Sequence, residues 1–143
     1  MKLLAEFDSV LVGTIPIDLA IEGSDLDIIC HWDDPELFKV LLQKHFGGFP
    51  AFKITKKEIS SISSVIARFR VDRFIVEVFG QNIPSMQQNG YRHMIIEHRI
   101  LKEKGEIFRS QIQSLKKEGP KTEQAFCRLL GIKGNPFEEL LKL

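Results

Sequence analysis

Two short stretches decide how this chain should fold: VGT at residues 12–14 and GSDLDI at residues 23–28. The second begins an apolar strand, and residues i and i+2 of a strand point to the same face of its sheet. Asp25 and Asp27 should therefore project together, with the apolar side chains packed behind them. Two neighbouring carboxylates repel each other unless a cation neutralises them or one takes up a proton. The pair predicts a site for a hard divalent ion with oxygen ligands.

A third acidic residue, Glu77, interrupts the apolar run IVEVF at residues 75–79. A single carboxylate in such a run is costly to bury unless it meets a cation or faces a cleft. If this strand neighbours the strand that carries Asp27, the three acids can hold one or two metal ions.

Each acid also has a purely structural interpretation. Asp25 can be a solvated turn residue that caps the start of the strand together with Ser24. Glu77 can be an edge-strand acid that pairs with Arg68 or Arg70 across a hairpin. The sequence leaves both interpretations open.

Gly13 and Thr14 supply a second kind of chemistry. A glycine lets a phosphate approach the backbone closely, and a helix that begins after it offers free N–H groups. The Thr14 hydroxyl can donate a further hydrogen bond. These residues predict a phosphate site beside the acids.

This pattern resembles the DNA polymerase beta-like nucleotidyltransferase superfamily. Its members have a Gly-Ser turn after a strand, then a short helix, an Asp-hydrophobic-Asp strand and a third acid on a later strand. The resemblance covers roughly residues 9–80. Further segments resemble a small uncharacterised bacterial branch of the superfamily, up to about residue 101: GTIP at 13–16, GSDLD at 23–27, YRHM at 91–94 and EHR at 97–99.

The resemblance implies roles for five candidate residues. Asp25 and Asp27 would be catalytic metal ligands, and Glu77 would be the third ligand or the base. The cofactor would be Mg²⁺ or Mn²⁺. Gly13 and Thr14 would hold the β- and γ-phosphates of a nucleoside triphosphate such as ATP.

Three further residues are nucleotide-binding candidates on their own features. Ser24 precedes the first acid, and Arg92 or Arg99, on the predicted long helix, can contact phosphate if it reaches the cleft.

The implied reaction is in-line attack of an unidentified hydroxyl on the α-phosphorus, with release of pyrophosphate. Two departures from the family pattern keep alternatives open. Thr14 replaces the usual serine, and the segment IPIDLA at residues 15–20 lacks the basic residue often found there. The alternatives are a non-catalytic nucleotide- or protein-binding relative of the same fold and a metal-dependent phosphohydrolase. Arg92 and Arg99 can also form structural salt bridges, and the amides of Gln81, Gln88 and Asn89 can read a base or sugar.

Composition limits the partners. The chain has 143 residues, with 20 Lys plus Arg against 19 Asp plus Glu. This near-neutral balance argues against a long nucleic-acid track and favours a small nucleotide. The longest apolar runs are far too short to span a bilayer, so no membrane association is expected. Two distant cysteines and the absence of a signal-peptide pattern indicate a cytoplasmic protein, with a protein partner or homodimer left open.

The periodicity predicts an α+β fold with a nucleotidyltransferase-like mixed β-sheet core, flanking helices and a C-terminal helical cluster. We expect one domain over residues 1–143, with the sheet core in 1–83 and C-terminal helices in 84–143. The predicted strands are 9–12, 26–32, one beginning near 52, 64–71 and 74–79, with a hairpin turn at Asp72-Arg73. The first predicted helix begins at Asp33-Asp34-Pro35. Three more helices are predicted: one long helix over 86–104, a second over 106–117 and a third over 122–130 with Thr122 as N-cap. A last helical turn is predicted at 136–141. Residues 15–22 should form a short helix or an irregular turn.

Overall fold

The computed structural model describes residues 2–143 and confirms the α+β class. The chain divides into two compact units. The sheet unit comprises the chain up to Val12 together with Gly23–Gln88, and the helical unit comprises Gly13–Glu22 and Asn89–Leu143. The expected single domain, with its boundary near residue 83, stays a prediction.

The sheet unit holds all five strands found in the described residues, together with one α-helix. The strand order is β1-β2-β5-β4-β3, in which β2 and β5 run parallel and the other neighbours run antiparallel. The elements are β1 Val10–Val12, β2 Leu26–His31, α1 Pro35–Phe46, β3 Lys53–Ile59, β4 Ile62–Val71 and β5 Phe74–Gln81. Short 3-10 helices at Lys2–Phe7 and Ser85–Gln87 flank them.

One row of residues crosses the whole sheet at the level of the predicted site. Consecutive strands contribute Val12, Asp27, Glu77, Arg68 and Lys53, each the direct cross-strand partner of the next. Cross-strand partners point to the same face, so the row places two acids beside two bases. The register therefore sets the charge pattern of this face.

The opposite face of the sheet forms the core of this unit. Phe38, Leu42 and Phe46 of α1 belong to one buried apolar cluster with β-strand residues such as Val65 and Val78. Asp34 begins α1 as expected, because its carboxylate accepts hydrogen bonds from two backbone N–H groups of the first turn.

The sheet packs closely against the residues that cover it at Gly80. A Cβ at this position would lie 2.6 Å from Phe38 Cε2 and 2.7 Å from Trp32 Cδ1. Only a residue without a side chain fits at this point of β5.

The helical unit contains α2 Asn89–Lys104, α3 Glu106–Lys117, α4 Thr122–Leu130 and α5 Pro136–Leu140. Phe108 of α3 and Phe126 of α4 meet edge to face, with ring centroids 5.8 Å apart. Gly131 ends α4 in the left-handed conformation, with φ 70°, as its position predicts.

The structure corrects the predicted starts of two helices and decides between the helix and the turn predicted after Thr14. The long helix over 86–104 is wrong, because Gln88 adopts an extended backbone that separates Ser85–Gln87 from α2. Thr122 is not an N-cap, because α4 begins at Thr122 itself and Lys121 is the capping position. Residues 15–18 form a turn instead of a helix.

Candidate functional site

The three acids predicted from the sequence lie together. Asp25, Asp27 and Glu77 each offer a carboxylate oxygen, and these three oxygens lie within 4.8 Å of one another. All three residues are half-buried, so the cluster is open to solvent on one side.

Sheet register is the cause of this proximity. Asp27 of β2 is the direct partner of Glu77 on the parallel strand β5. Asp25 stands two residues before Asp27 and just outside β2, on the same side by the alternation of a strand. The apolar residues one position earlier, Leu26 and Val76, are partners of each other and pack toward the core face.

Arg68 supplies a counter-charge to this cluster. Its Nη1 atom donates to Glu77 Oε2 at 3.0 Å, and its Nη2 atom donates to Asp25 Oδ2 at 3.4 Å. The structural interpretation of Glu77 is therefore confirmed in its pairing with Arg68. It is wrong in calling the strand an edge, because β5 lies between β2 and β4.

The donor set fits a hard divalent ion. All three groups present carboxylate oxygens, which are the ligands that Mg²⁺ and Mn²⁺ prefer. The open side of the cluster leaves room for the waters or substrate oxygens that Mg²⁺ retains in its coordination shell. Of the described residues, no other group of three or more His, Cys, Asp or Glu meets the same distance limit.

Gly13 and Thr14 belong to the helical unit, whereas Ser24 belongs to the sheet unit. Gly13 has φ 84°, a conformation that glycine adopts without strain. Thr14 is buried, and its carbonyl accepts a hydrogen bond from the N–H of Leu19 at 2.9 Å. This bond closes the turn that follows the Gly-Thr pair.

Arg92 and Arg99 lie on α2, in the helical unit, and each has a partner there. Arg92 Nη1 donates to Asn89 Oδ1 at 3.0 Å. Arg99 Nη2 donates to the carbonyl oxygen of Leu143. Neither contact is the salt bridge that the structural interpretation expected, and their binding to nucleotide stays a prediction.

Of the three candidate amides, Asn89 is exposed, and its Oδ1 atom accepts from Arg92, whereas Gln81 and Gln88 are buried. Gln88 Nε2 donates to the Cys30 carbonyl at 2.7 Å and to the Ile83 carbonyl at 2.9 Å. Gln81 Nε2 donates to Ser64 Oγ at 2.9 Å. The Nε2 groups of Gln81 and Gln88 therefore donate their hydrogen bonds within the sheet unit.

Arg109 of α3 is a residue that the motif analysis did not find. Its Nη1 atom donates to the carbonyls of Ile17 at 2.7 Å and Asp18 at 2.8 Å. Nearby, Gln113 Nε2 donates to the Ala20 carbonyl at 3.4 Å. These bonds tie the segment after Gly13 to α3. A separation of more than 90 residues leaves no local signal of them in the sequence.

The helical unit also contains two neighbouring acids, of which Glu97 is buried and Glu123 is half-buried. Glu97 of α2 is 3% exposed, and burial, together with the charge of Glu123 and a hydrogen bond to it, raises the pKa of Glu97 well above its usual range. Lys116 acts in the opposite direction. His93 lies 3.9 Å from Glu123 through Nδ1 and contacts the Phe137 carbonyl at 2.8 Å through Nε2. The raised pKa favours the protonated form of Glu97, which removes the repulsion between the two carboxyl groups.

None of the helices in residues 2–143 combines the length and apolar character needed to cross a membrane. A comparison with curated protein sequences gave no significant match.

Solved structures of similar fold include polymerases. The Cid1 poly(U) polymerase bound to MgGTP aligns with a TM-score of 0.57 at 10% identity, covering 80% of this chain and 36% of that chain. The GLD-2/RNP-8 complex gives 0.53 at 12%, with coverages of 87% and 48%. The polymerase core of TRAMP, an RNA surveillance complex, gives 0.53 at 14%, with coverages of 97% and 42%.

These similarities establish a nucleotidyltransferase fold. The chain spans less than half the length of each of these three solved chains. Among sequence families, the family described as Domain of unknown function (DUF4269) matches residues 1–143. The chain belongs to this DUF4269 family.

Proposed function

We propose that this protein is a metal-dependent nucleotidyltransferase, which transfers a nucleotidyl group from a nucleoside triphosphate to a hydroxyl acceptor. The observation that carries the proposal is the cluster of Asp25, Asp27 and Glu77, whose oxygens lie within 4.8 Å of one another on adjacent strands. The fold supports it, because the similar Cid1 structures were solved with MgGTP and with Mg 3'-dATP.

The three acids have separate tasks in this proposal. Asp25 and Asp27 hold the divalent ion, and Glu77 completes the ligand set or accepts the proton of the attacking hydroxyl. When bound, Mg²⁺ or Mn²⁺ supplies positive charge for the attacking and leaving oxygens. The half-buried setting of the carboxylates strengthens their attraction for a cation relative to fully solvated acids.

The remaining candidates bind the nucleotide. Gly13 offers an unhindered backbone to the β- and γ-phosphates, and the Thr14 hydroxyl donates a hydrogen bond to them. Ser24 stands beside the first metal ligand and offers a second hydroxyl. Arg92 and Arg99 supply positive charge to phosphate.

The substrate is a small nucleotide, and the acceptor site is shallow or completed by a partner protein or a second copy. The near-neutral charge supports a small substrate over a long nucleic-acid track. GLD-2 was solved in a complex with RNP-8, which is a precedent for partnership in this fold.

Calorimetric titration with each nucleoside triphosphate, with Mg²⁺ and with chelator, tests the binding step. We expect Mg²⁺-dependent binding by the wild type and its loss in the double variant Asp25→Asn/Asp27→Asn. The matched control is Asp72→Asn, an exposed aspartate in the β4–β5 turn. Unchanged binding by the double variant would refute the proposal.

A second candidate function is favoured by one observation. Arg68 already pairs with both Glu77 and Asp25 and balances one of their two charges, as expected of a non-catalytic relative that keeps the fold and binds nucleotide alone. Product analysis separates the two: transfer yields pyrophosphate and a modified acceptor, hydrolysis yields no modified acceptor, and a non-catalytic protein returns the triphosphate intact.

A further inference from the structure

We propose that Arg68 is an internal competitor of the divalent ion: its guanidinium partly neutralises the acidic cluster of the metal-free protein and must leave before the ion binds. This inference rests on the proposed function, because it concerns the same three acids. It adds a positioning residue that sets the metal affinity of the site.

The contacts of Arg68 place a cation within the ligand set. The guanidinium reaches Glu77 on one side at 3.0 Å and Asp25 on the other at 3.4 Å. It thereby bridges two of the three carboxylates whose oxygens a metal would share. One positive group already balances part of the repulsion within the cluster.

The guanidinium and a metal ion would compete for the same carboxylates. Magnesium binds oxygen at about 2.0–2.1 Å and demands near-octahedral geometry, so its ligand atoms need a defined arrangement around the ion. The three carboxylate oxygens lie within 4.8 Å of one another, and the guanidinium contacts two of the three carboxyl groups. A metal ion beside the guanidinium would place two cations in one small cluster, where their like charges repel.

The register explains why Arg68 leans toward the acids and how it can leave. Its partner on one side is Glu77, and its partner on the other side is Lys53. Like charges opposite each other repel, so Lys53 favours the direction toward the acids. The Arg68 side chain is 50% exposed, which leaves it free to rotate into solvent.

Arg70 provides a matched control on the same strand. It follows Arg68 by two positions on β4, which puts it on the same face, and its cross-strand partner is the uncharged Ile75. Among residues 2–143, no acid lies within ion-pair distance of the Arg70 guanidinium. Substituting Arg70 therefore removes one positive charge from the same face without removing a contact to the cluster.

The experiment is a titration with Mn²⁺ alone, followed by the EPR signal of the free ion, without nucleotide. The proteins are the wild type, Arg68→Gln, Arg68→Lys and Arg70→Gln. We expect Arg68→Gln to bind Mn²⁺ about two- to thirty-fold more tightly than the wild type, the range given by the loss of two exposed ion pairs. The Mn²⁺ affinity of Arg68→Lys should lie between those of the wild type and Arg68→Gln, because the point charge of lysine replaces the two separate contacts of the guanidinium. Arg70→Gln should match the wild type.

The outcomes separate this inference from the function on which it rests. Equal affinity of the wild type and Arg68→Gln overturns the inference and leaves the metal site intact. Equal tightening in Arg68→Gln and Arg70→Gln overturns it too, since the effect is then one of general surface charge. No Mn²⁺ binding by any variant refutes both the inference and the proposed function. Unfolding in chelator checks the same contact independently: Arg68→Gln should unfold at lower denaturant than Arg70→Gln.

Discussion

Asp27 and Glu77 are direct partners on the neighbouring parallel strands β2 and β5. Two residues 50 positions apart thus become cross-strand neighbours, and Asp25 joins them from the start of the same strand. The carboxylates lie close enough to repel each other, with Arg68 as the counter-charge. A bound divalent ion would relieve this repulsion, because carboxylate oxygens are its preferred ligands and it brings two positive charges.

Binding of Mg²⁺ should stabilise the wild type by mass action. A concentration about 100 times Kd adds about 2.7 kcal/mol to the free energy of unfolding, because only the folded cluster binds the ion. Thermal unfolding should therefore show a rise in the melting temperature of about 5–10 °C for a chain of this size. Asp27→Asn should lose the shift and Asp72→Asn should keep it. A shift of equal size in Asp27→Asn would place the bound ion elsewhere.

The buried carboxyl of Glu97 predicts a pH-dependent stability of the helical unit. Its pKa is raised in the folded protein, so folding takes up a proton at any pH between the unfolded and the folded pKa. The stabilisation is complete below the ordinary glutamate pKa of about 4.3 and is lost as pH rises toward the folded value. Glu97→Gln keeps a donor toward Glu123 and should flatten this decline.

Denaturant unfolding at pH 5, 6, 7 and 8 measures the effect. The difference in unfolding free energy between Glu97→Gln and the wild type should grow in favour of the variant as pH rises. Glu103→Gln, an exposed substitution on the same helix, should follow the wild type at each pH. Parallel pH profiles for Glu97→Gln and the wild type would show that the pair does not hold an extra proton.

Arg109 should hold the turn that follows Gly13 and Thr14. Arg109→Gln removes two short hydrogen bonds to the carbonyls of Ile17 and Asp18. We expect a loss of about 1–3 kcal/mol in unfolding free energy and faster amide hydrogen exchange over residues 15–20. Arg128→Gln, an exposed change on α4, is the control. Unaltered amide hydrogen exchange in Arg109→Gln would mean that the turn is stable without the hydrogen bonds from Arg109.

Gly80 and Gly48 form a matched pair of glycine substitutions. Gly80→Ala forces a methyl group against the Phe38 and Trp32 rings and should cost about 1–3 kcal/mol of unfolding free energy. A Cβ on Gly48 meets nothing within 4 Å, so Gly48→Ala should be neutral or slightly stabilising. Equal stability of the two variants in urea would contradict the close packing over β5.

Local patterns predicted much of this fold. The alternation at Asp25 and Asp27, the cap at Asp34 and the left-handed Gly131 depend on neighbours within a few residues. The α+β class and most strand and helix positions follow from such periodicity. The sequence indicates Glu77 as a site residue because burying a charge within an apolar strand is destabilising unless the charge meets a cation or faces a cleft.

Long-range contacts could not be predicted in the same way. The break before α2 follows from Gln88, whose buried amide binds the carbonyl of Cys30, 58 residues away. The central position of β5 follows from strand order, which the hairpin signal at its start does not contain. Arg109 reaches Ile17 across 92 positions. Each of these contacts is set by packing between distant segments instead of by local propensity.

The most direct test of the proposed metal site is a crystal soaked with Mn²⁺ and a non-hydrolysable triphosphate analogue, measured for anomalous scattering. We expect one or two anomalous peaks about 2.1–2.2 Å from oxygens of Asp25, Asp27 and Glu77, with the Arg68 guanidinium turned away. Peaks only at other positions, or an Arg68 still paired with Glu77 at saturating Mn²⁺, would contradict the account.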